Sequence, residues 1–353
     1  MISHSADIVT NDAGLSCINI PPVIFDTSCL GNLLVATGYA TKLKLVKECI
    51  EQSNEAVVFD TAGKYGAGLA LETLGRCLKE LNVKPEGVII SNKLGRLRTE
   101  PKTEEPTFES GAWKDLKYDA VQKISYDGII ECFEQGNCLL NGYIPQMVSV
   151  HDPDEYLATA KNEEHAKQLY EDILDAFEAL YDLKQEGKVK AVGVRAKDWK
   201  VIQRIAKDVE LDWVMLANSL TIKNHSRQLL DFVKKLTEEN TLVINSAVFH
   251  SGFLVGGNYY DHELIIPNTH ENKALFQWRE DFFKLCDEFA IKPAKACVQF
   301  ALSVPGVASV ALGTSEEKRV KENIQLPTVE IPNEFWIKMK DKGLISKGYP
   351  YLG

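Results

Sequence analysis

Eight short apolar runs that alternate with amphipathic helical patterns predict a single (β/α)8 TIM barrel with long loops at its C-terminal face. Composition agrees, because 45% hydrophobic and 25% charged residues allow a large buried core. A third observation is chemical: Asp60, Tyr65, Lys93 and His151 stand at or just beyond the carboxyl ends of such runs, where barrel enzymes keep their reactive groups. A length of 353 residues permits one domain or two, and α/β barrels reach it as one. One barrel domain over 1–353, with its core at about 23–323, is therefore expected.

The predicted strands are 23–26, 56–60, 88–93, 147–151, 191–194, 213–216, 242–246 and 308–312. Each is a short run dominated by apolar residues, the pattern of a strand covered on both faces. The clearest helix between them carries Leu169, Ile173, Phe177, Leu180 and Leu183 on one stripe. Two connections break the rhythm. Segment 94–123, with Pro101, Pro106, Phe108, Trp113 and Tyr118, is too long for an ordinary link and is expected to cover the barrel mouth as a substrate loop. Segment 253–272 contains Gly256-Gly257-Asn258-Tyr259-Tyr260 and reads equally as a flexible flap or a static surface loop.

A net charge of −10, from 40 basic and 50 acidic residues, argues against a nucleic-acid surface and for solubility. Cys17, Cys29, Cys49, Cys77, Cys132, Cys138, Cys286 and Cys297 are scattered without Cys-x-x-Cys spacing, which suggests reduced thiols in the cytoplasm. Residues 1–7 show no basic segment leading into an apolar one, and no uninterrupted apolar stretch approaches the ~18 residues of a membrane span. A soluble cytoplasmic monomer or homodimer without membrane contact is expected.

The quartet reads as a proton-transfer device. A tyrosine normally titrates near ~10 and exchanges protons near neutrality only if its phenolate is stabilised, most simply by a buried ammonium. Lys93 is expected to lower the Tyr65 pKa in this way. Asp60 would hold Lys93 by a charge-assisted hydrogen bond, and His151 would donate to a substrate oxygen. No nucleophile accompanies the set, so a hydride carrier is required. His151-Asp152-Pro153-Asp154 also invites a metal reading, but strands five to seven end in Val194, Leu216 and Ser246, and the ligands run out; no metal is expected.

With Asp60-Thr61-Ala62-Gly63-Lys64-Tyr65-Gly66, the strand-terminal Lys93 and His151, and residues 313–323 near the end, the chain resembles the aldo-keto reductase superfamily from about 23 to 323. Leu30-Gly31-Asn32-Leu33, Ser125-Tyr126-Asp127-Gly128 and His151-Asp152-Pro153-Asp154 are most similar to its aldose 1-dehydrogenase branch, which acts on fucose, galactose and related sugars. The resemblance implies Asp60, Tyr65, Lys93 and His151 as catalytic residues and NAD or NADP as cofactor. It places the pyrophosphate along the loop after strand seven, with Ser246, Phe249, Ser251 and Gly252, where a glycine permits close backbone approach.

The adenosine end would meet a helix opened by Gly313, Thr314 and Ser315, with Arg319, Glu322 and Asn323. Thr27 after strand one completes the set. Some positions depart from the common pattern. Arg195-Ala196 replaces a Ser-Asn that holds the nicotinamide amide, Asn218 stands near a common Gln, and Asp26 replaces a frequent Gly. Gly313 occupies the place of a lysine that clamps the 2′-phosphate in NADP-specific members, and Glu316 and Glu317 add negative charge, so NAD is favoured. Trp113, Tyr118 and Asp152 are the expected substrate contacts.

The implied function is NAD(P)-dependent oxidation of an aldose such as L-fucose at C1 to the lactone. The alternatives are an NADPH-dependent aldehyde or ketone reductase with the same tetrad, and a non-catalytic nucleotide sensor resembling the potassium-channel β subunits, although the long partner-binding extension is missing.

Overall fold

In the computed structural model, eight strands close into a barrel in sequence order: β1 Val23–Asp26, β2 Val57–Ala62, β3 Val88–Leu94, β4 Met147–His151, β5 Ala191–Ala196, β6 Trp213–Ala217, β7 Leu242–Ser246 and β8 Val307–Leu312. The structure describes residues 9–10, 16–18, 20–53, 56–267, 269–270 and 272–353. Residues 1–7 and the Cys17 side chain lie outside them, so the expectations placed there are not addressed. Every other cysteine is unpaired. No helix among the described residues is long and apolar enough to cross a membrane.

The chain divides into two compact units. One comprises residues 1–215 and 311–324, the other 216–310 and 325–353. Within the first, β1 through β5 pair in parallel. Every residue of β2, β4 and β5 is buried, which is why these strands read as continuous apolar runs rather than alternating ones. The predicted stripe Leu169, Ile173, Phe177, Leu180 and Leu183 is buried on helix Glu163–Gln185, whose N-terminus is capped by Asn162 accepting from the His165 amide.

Several strands run past their predicted ends, β2 and β5 by two residues, because Thr61, Ala62, Arg195 and Ala196 keep pairing or burial after the apolar run stops. The 94–123 insertion is not irregular. Arg96–Thr99 pairs antiparallel with Asp119–Gln122, a ribbon hidden in the sequence by its charges and nearby prolines. In the second unit, 253–272 is tethered rather than loose at its near end. His250 bonds Asp261 at 2.8 Å and stacks on Tyr260 at 4.6 Å, and Ser251 Oγ accepts from the His262 amide.

Candidate active site

Register builds the site as a staircase. Asp26 is level with Asp60, Asp60 with Ser91, Lys93 with Ser149, and His151 with Arg195. Side chains two apart on a strand share a face, so Ser91 and Lys93 both reach Asp60, and successive strands raise the next polar group toward the mouth. Asp60 accepts from Lys93 Nζ at 2.5 Å and from Ser91 Oγ at 3.1 Å, all three fully buried. Burial pushes the Asp60 carboxyl up, against the pull of Lys93; burial pushes the Lys93 ammonium down, against the pull of Asp60.

Tyr65 lies just beyond β2, and backbone contact fixes it there. Gly66 has φ +61, and a Cβ on it would fall 2.3 Å from the Gly31 carbonyl oxygen, so the turn after β2 rests directly on the loop after β1. Gly66→Ala is expected to cost at least about 1–2 kcal/mol from the left-handed backbone alone, measured by denaturant unfolding. A loss below a few tenths of that would show the contact to be absent.

The contact brings Asp26 to the tyrosine. Tyr65 donates to Asp26 Oδ2 at 3.0 Å, while the Ser28 amide donates to Asp26 Oδ1 at 2.8 Å. Lys93 Nζ sits over the Tyr65 ring, 4.5 Å from its centroid, rather than at the hydroxyl. The expectation that Lys93 lowers the Tyr65 pKa is therefore corrected for this arrangement: burial first, then Asp26 and Asp60, push Tyr65 well above the usual value, with Arg195 opposing. Asp26 had appeared in the sequence only as a departure from a common glycine.

His151 is buried edge-on to Tyr65, with ring centroids 5.9 Å apart. Neither ring nitrogen has a hydrogen-bond partner, although Nε2 is 3.5 Å from Asp152 Oδ2. Burial, with Arg195, Lys93 and Lys64 nearby, holds its pKa well below normal against the opposing Asp152, so the ring is neutral at ordinary pH and carries one donor.

Asp152 is taken by other side chains: Arg195 bonds Oδ1, and Lys64 bonds Oδ2 at 2.7 Å. Burial opposes its charge, but the Arg195 and Lys64 cations hold its carboxyl well below the usual range. Arg195, expected at the nicotinamide, thus has one nitrogen committed to Asp152, while its Nε has no partner. Lys64 was missed by sequence reasoning, since a lysine in the turn before Tyr65 reads as a solvated one. It is 2% exposed and also reaches Glu155 at 2.7 Å and Glu109 at 2.8 Å. Glu109 accepts from Trp113 Nε1 at 2.7 Å, and Trp113 lies 5.8 Å from the Tyr65 ring. Trp113 therefore joins the site. Tyr118 stands apart from it, its ring 4.5 Å from the Arg98 guanidinium that bonds Ala67 O and Glu72.

The expected cofactor residues divide. Thr27, Thr314 and Asn323 line one cleft together with Asp26, although the Thr27 hydroxyl already donates to Asp60 O at 3.0 Å. The last helix of that unit begins at Lys318, not at Thr314 or Ser315: Thr314 Oγ1 accepts from the Glu316 amide and turns the chain before the helix opens. Gly313 faces Asp26, where a Cβ would meet the carboxylate oxygen at 3.2 Å. Arg319 is exposed and pairs with Glu316 at 3.0 Å.

In the second unit, Ser246 Oγ donates to Leu216 O, Gly252 has φ 92, and Phe249 is half-buried beside the Ser251 contact described above. Asn218 adopts φ 59 and keeps a buried amide oxygen without a partner. Within this unit, the orphaned Asn218 Oδ1 suits a ligand that carries amide or hydroxyl groups, such as a nicotinamide nucleotide. Among the described residues no group of three or more His, Cys, Asp or Glu side chains is arranged to hold a metal ion.

A model of the Aldo/keto reductase family matches residues 35–343. The chain is 28% identical over 296 residues to pyridoxal 4-dehydrogenase of Microbacterium luteolum, covering 82% of this chain and 84% of that one. It is 25% identical over 297 residues to D-threo-aldose 1-dehydrogenase of a Pseudomonas species, covering 81% and 84%. Among solved structures it is similar to the glycerol dehydrogenase of Gluconobacter oxydans, with TM-score 0.68, 17% identity and coverage of 99% and 97%. An aldo/keto reductase of Klebsiella pneumoniae solved with NADP and acetate matches with TM-score 0.61, 14% identity and 95% coverage of both chains.

Proposed function

Because the chain belongs to the aldo/keto reductase family and is an NAD(P)-dependent oxidoreductase, we propose that it oxidises an aldose, L-fucose or a related sugar, at C1 to the lactone, using NAD at least as well as NADP. The observation that carries this reading is the pair of buried polar groups beside Tyr65, the His151 ring and the Arg195 Nε, both left without partners. A hydroxyl-rich ring satisfies such atoms, whereas an apolar carbonyl compound leaves them unpaired.

When bound, the nicotinamide supplies the carbon that accepts the hydride. Tyr65 takes the proton of the C1 hydroxyl, neutral His151 orients the same oxygen, and Lys93, held by Asp60, places a cation against the Tyr65 ring. Trp113 excludes water from the face of the tyrosine. The test is the ratio of kcat/KM for aldose oxidation to kcat/KM for reduction of simple aromatic aldehydes. It is expected to favour the aldoses; a large excess for the aldehydes would make the protein a reductase with the same tetrad.

A second reading has one observation in its favour, the 28% identity to a pyridoxal 4-dehydrogenase. Pyridoxal, like an aldose, closes into a cyclic hemiacetal, so the same proton and hydride transfers yield a lactone. It belongs in the same substrate panel.

Cofactor choice rests on Gly313 and on the Glu316 carboxylate that already engages Arg319. Losing one cation of a phosphate clamp removes roughly 1.5–3 kcal/mol, about ten- to a hundredfold in affinity. Dissociation constants for both nucleotides on one preparation are expected to show NAD bound at least as tightly. NADP binding more than about tenfold tighter would overturn that preference.

A further inference from the structure

Among the described residues Asp26 is the one acidic side chain that bonds the hydroxyl of Tyr65, and neither the tetrad nor the proposed cofactor contacts account for it. The placement is built. The Ser28 amide fixes one carboxylate oxygen, the Gly31–Gly66 contact fixes the distance between the two loops, and Gly313 leaves the space that a side chain would take. We infer that Asp26 is the terminal proton acceptor of the reaction, so that Tyr65 relays the substrate proton to it instead of resting as a phenolate.

The relay rests on the dehydrogenase reading above. In the step, the C1 oxygen–hydrogen bond breaks and its proton passes to Tyr65 Oη, while the Tyr65 hydroxyl proton passes to Asp26 Oδ2. The electron pair of the C1–H bond leaves as hydride to the nicotinamide, and the C1–O double bond forms. Asp26 then loses its proton to solvent. In carbonyl reduction the same groups run backward.

The raised Tyr65 pKa gives the relay its purpose, since a resting phenolate is disfavoured among these neighbours. The groups facing the pair are Asp60 below, Lys93 over the ring, His151 at its edge, Arg195 across the site and the Cys29 thiol beside Asp26, pushed up to about 12. His151 and Cys29 do not change charge between about pH 7 and 9.

Two measurements test it. With Asp26 present, kcat/KM for dehydrogenation is expected to vary less than about threefold between about pH 7 and 9. In Asp26→Asn and Asp26→Gly it is expected to fall at least about a hundredfold at neutral pH and to climb about tenfold per pH unit, because the tyrosine must then ionise first. A wild-type pH profile in both variants would overturn the inference, whereas a wild-type enzyme that oxidises no hemiacetal would overturn the proposed function instead.

The second measurement needs no substrate. Tyrosinate absorbance, taken as the difference from the matching Tyr65→Phe protein, is expected to show Tyr65 ionising at a pH lower by at least about one in Asp26→Asn than in the wild type. Identical titrations would show that the two groups do not meet, and the relay would be abandoned. Nucleotide affinity retained in both variants, by tryptophan quenching, separates these effects from loss of the fold.

Discussion

Replacing Tyr65 with phenylalanine is expected to lower turnover by at least about a hundredfold while fold and nucleotide binding persist, because positioned acid–base assistance is worth ~10²–10⁴. The ring of the variant keeps its packing against Trp113 and under Lys93, so the loss isolates the hydroxyl. Lys93→Met is expected to match it in turnover and to add a structural loss. Among the described residues, fully buried Asp60 would retain only Ser91 as a side-chain partner for its carboxylate. Removing one member of a buried ion pair costs about 3–5 kcal/mol, unless the survivor takes up a proton. Circular dichroism, denaturant unfolding and single-turnover rates on the two variants separate the contributions. Near-normal turnover in Tyr65→Phe would remove the tyrosine from the chemistry.

The second large effect belongs to Lys64. Its ammonium holds Asp152, Glu155 and Glu109 together, and through Glu109 the indole of Trp113. Lys64→Met is expected to destabilise the protein by about 3 kcal/mol, the lower end for a broken buried pair because Asp152 keeps Arg195. KM should rise more than kcat falls, as the loop carrying Trp113 loses its tether. The pH dependence follows from the directions of the shifts. The Asp152 pKa is depressed on folding, so its contribution is present above about pH 4 and lost as pH falls through the folded value. The Lys64 pKa is raised, burial opposing and the three carboxylates prevailing, so its contribution is present below about pH 10 and lost as pH rises through the folded value. The stability difference between wild type and Lys64→Met is expected to be flat between those limits and to shrink outside them. A difference that grew in acid would contradict the cluster.

The barrel strands were legible because strands covered on both faces must be apolar along their length, and the proposed tetrad stood out because Asp60, Lys93 and His151 break those runs near their ends and Tyr65 follows one closely. The ribbon at Arg96–Thr99 and Asp119–Gln122 was not, since its pairing is backbone to backbone and its side chains are those of a surface loop. Lys64 and Asp26 were hidden for a different reason. Nothing local distinguishes a buried charged side chain from a solvated one when its partners lie tens of residues away, as Asp152 does from Lys64 and Asp26 from Tyr65. The raised pKa of Tyr65 was hidden for the same reason: a cation near its ring can be expected from the sequence, but the distant carboxylate that accepts from its hydroxyl cannot.

In the proposed reaction Tyr65 carries the proton of a cyclic hemiacetal while the hydride reduces a nicotinamide. The most direct measurement is product stoichiometry: an aldose and NAD are incubated with the enzyme, and lactone is quantified by NMR against absorbance of the reduced nicotinamide. One lactone per reduced nicotinamide is expected from the wild type, with both products falling together by at least about a hundredfold in Tyr65→Phe. Nicotinamide reduction without lactone, or lactone formation that survives the loss of the Tyr65 hydroxyl, would contradict it.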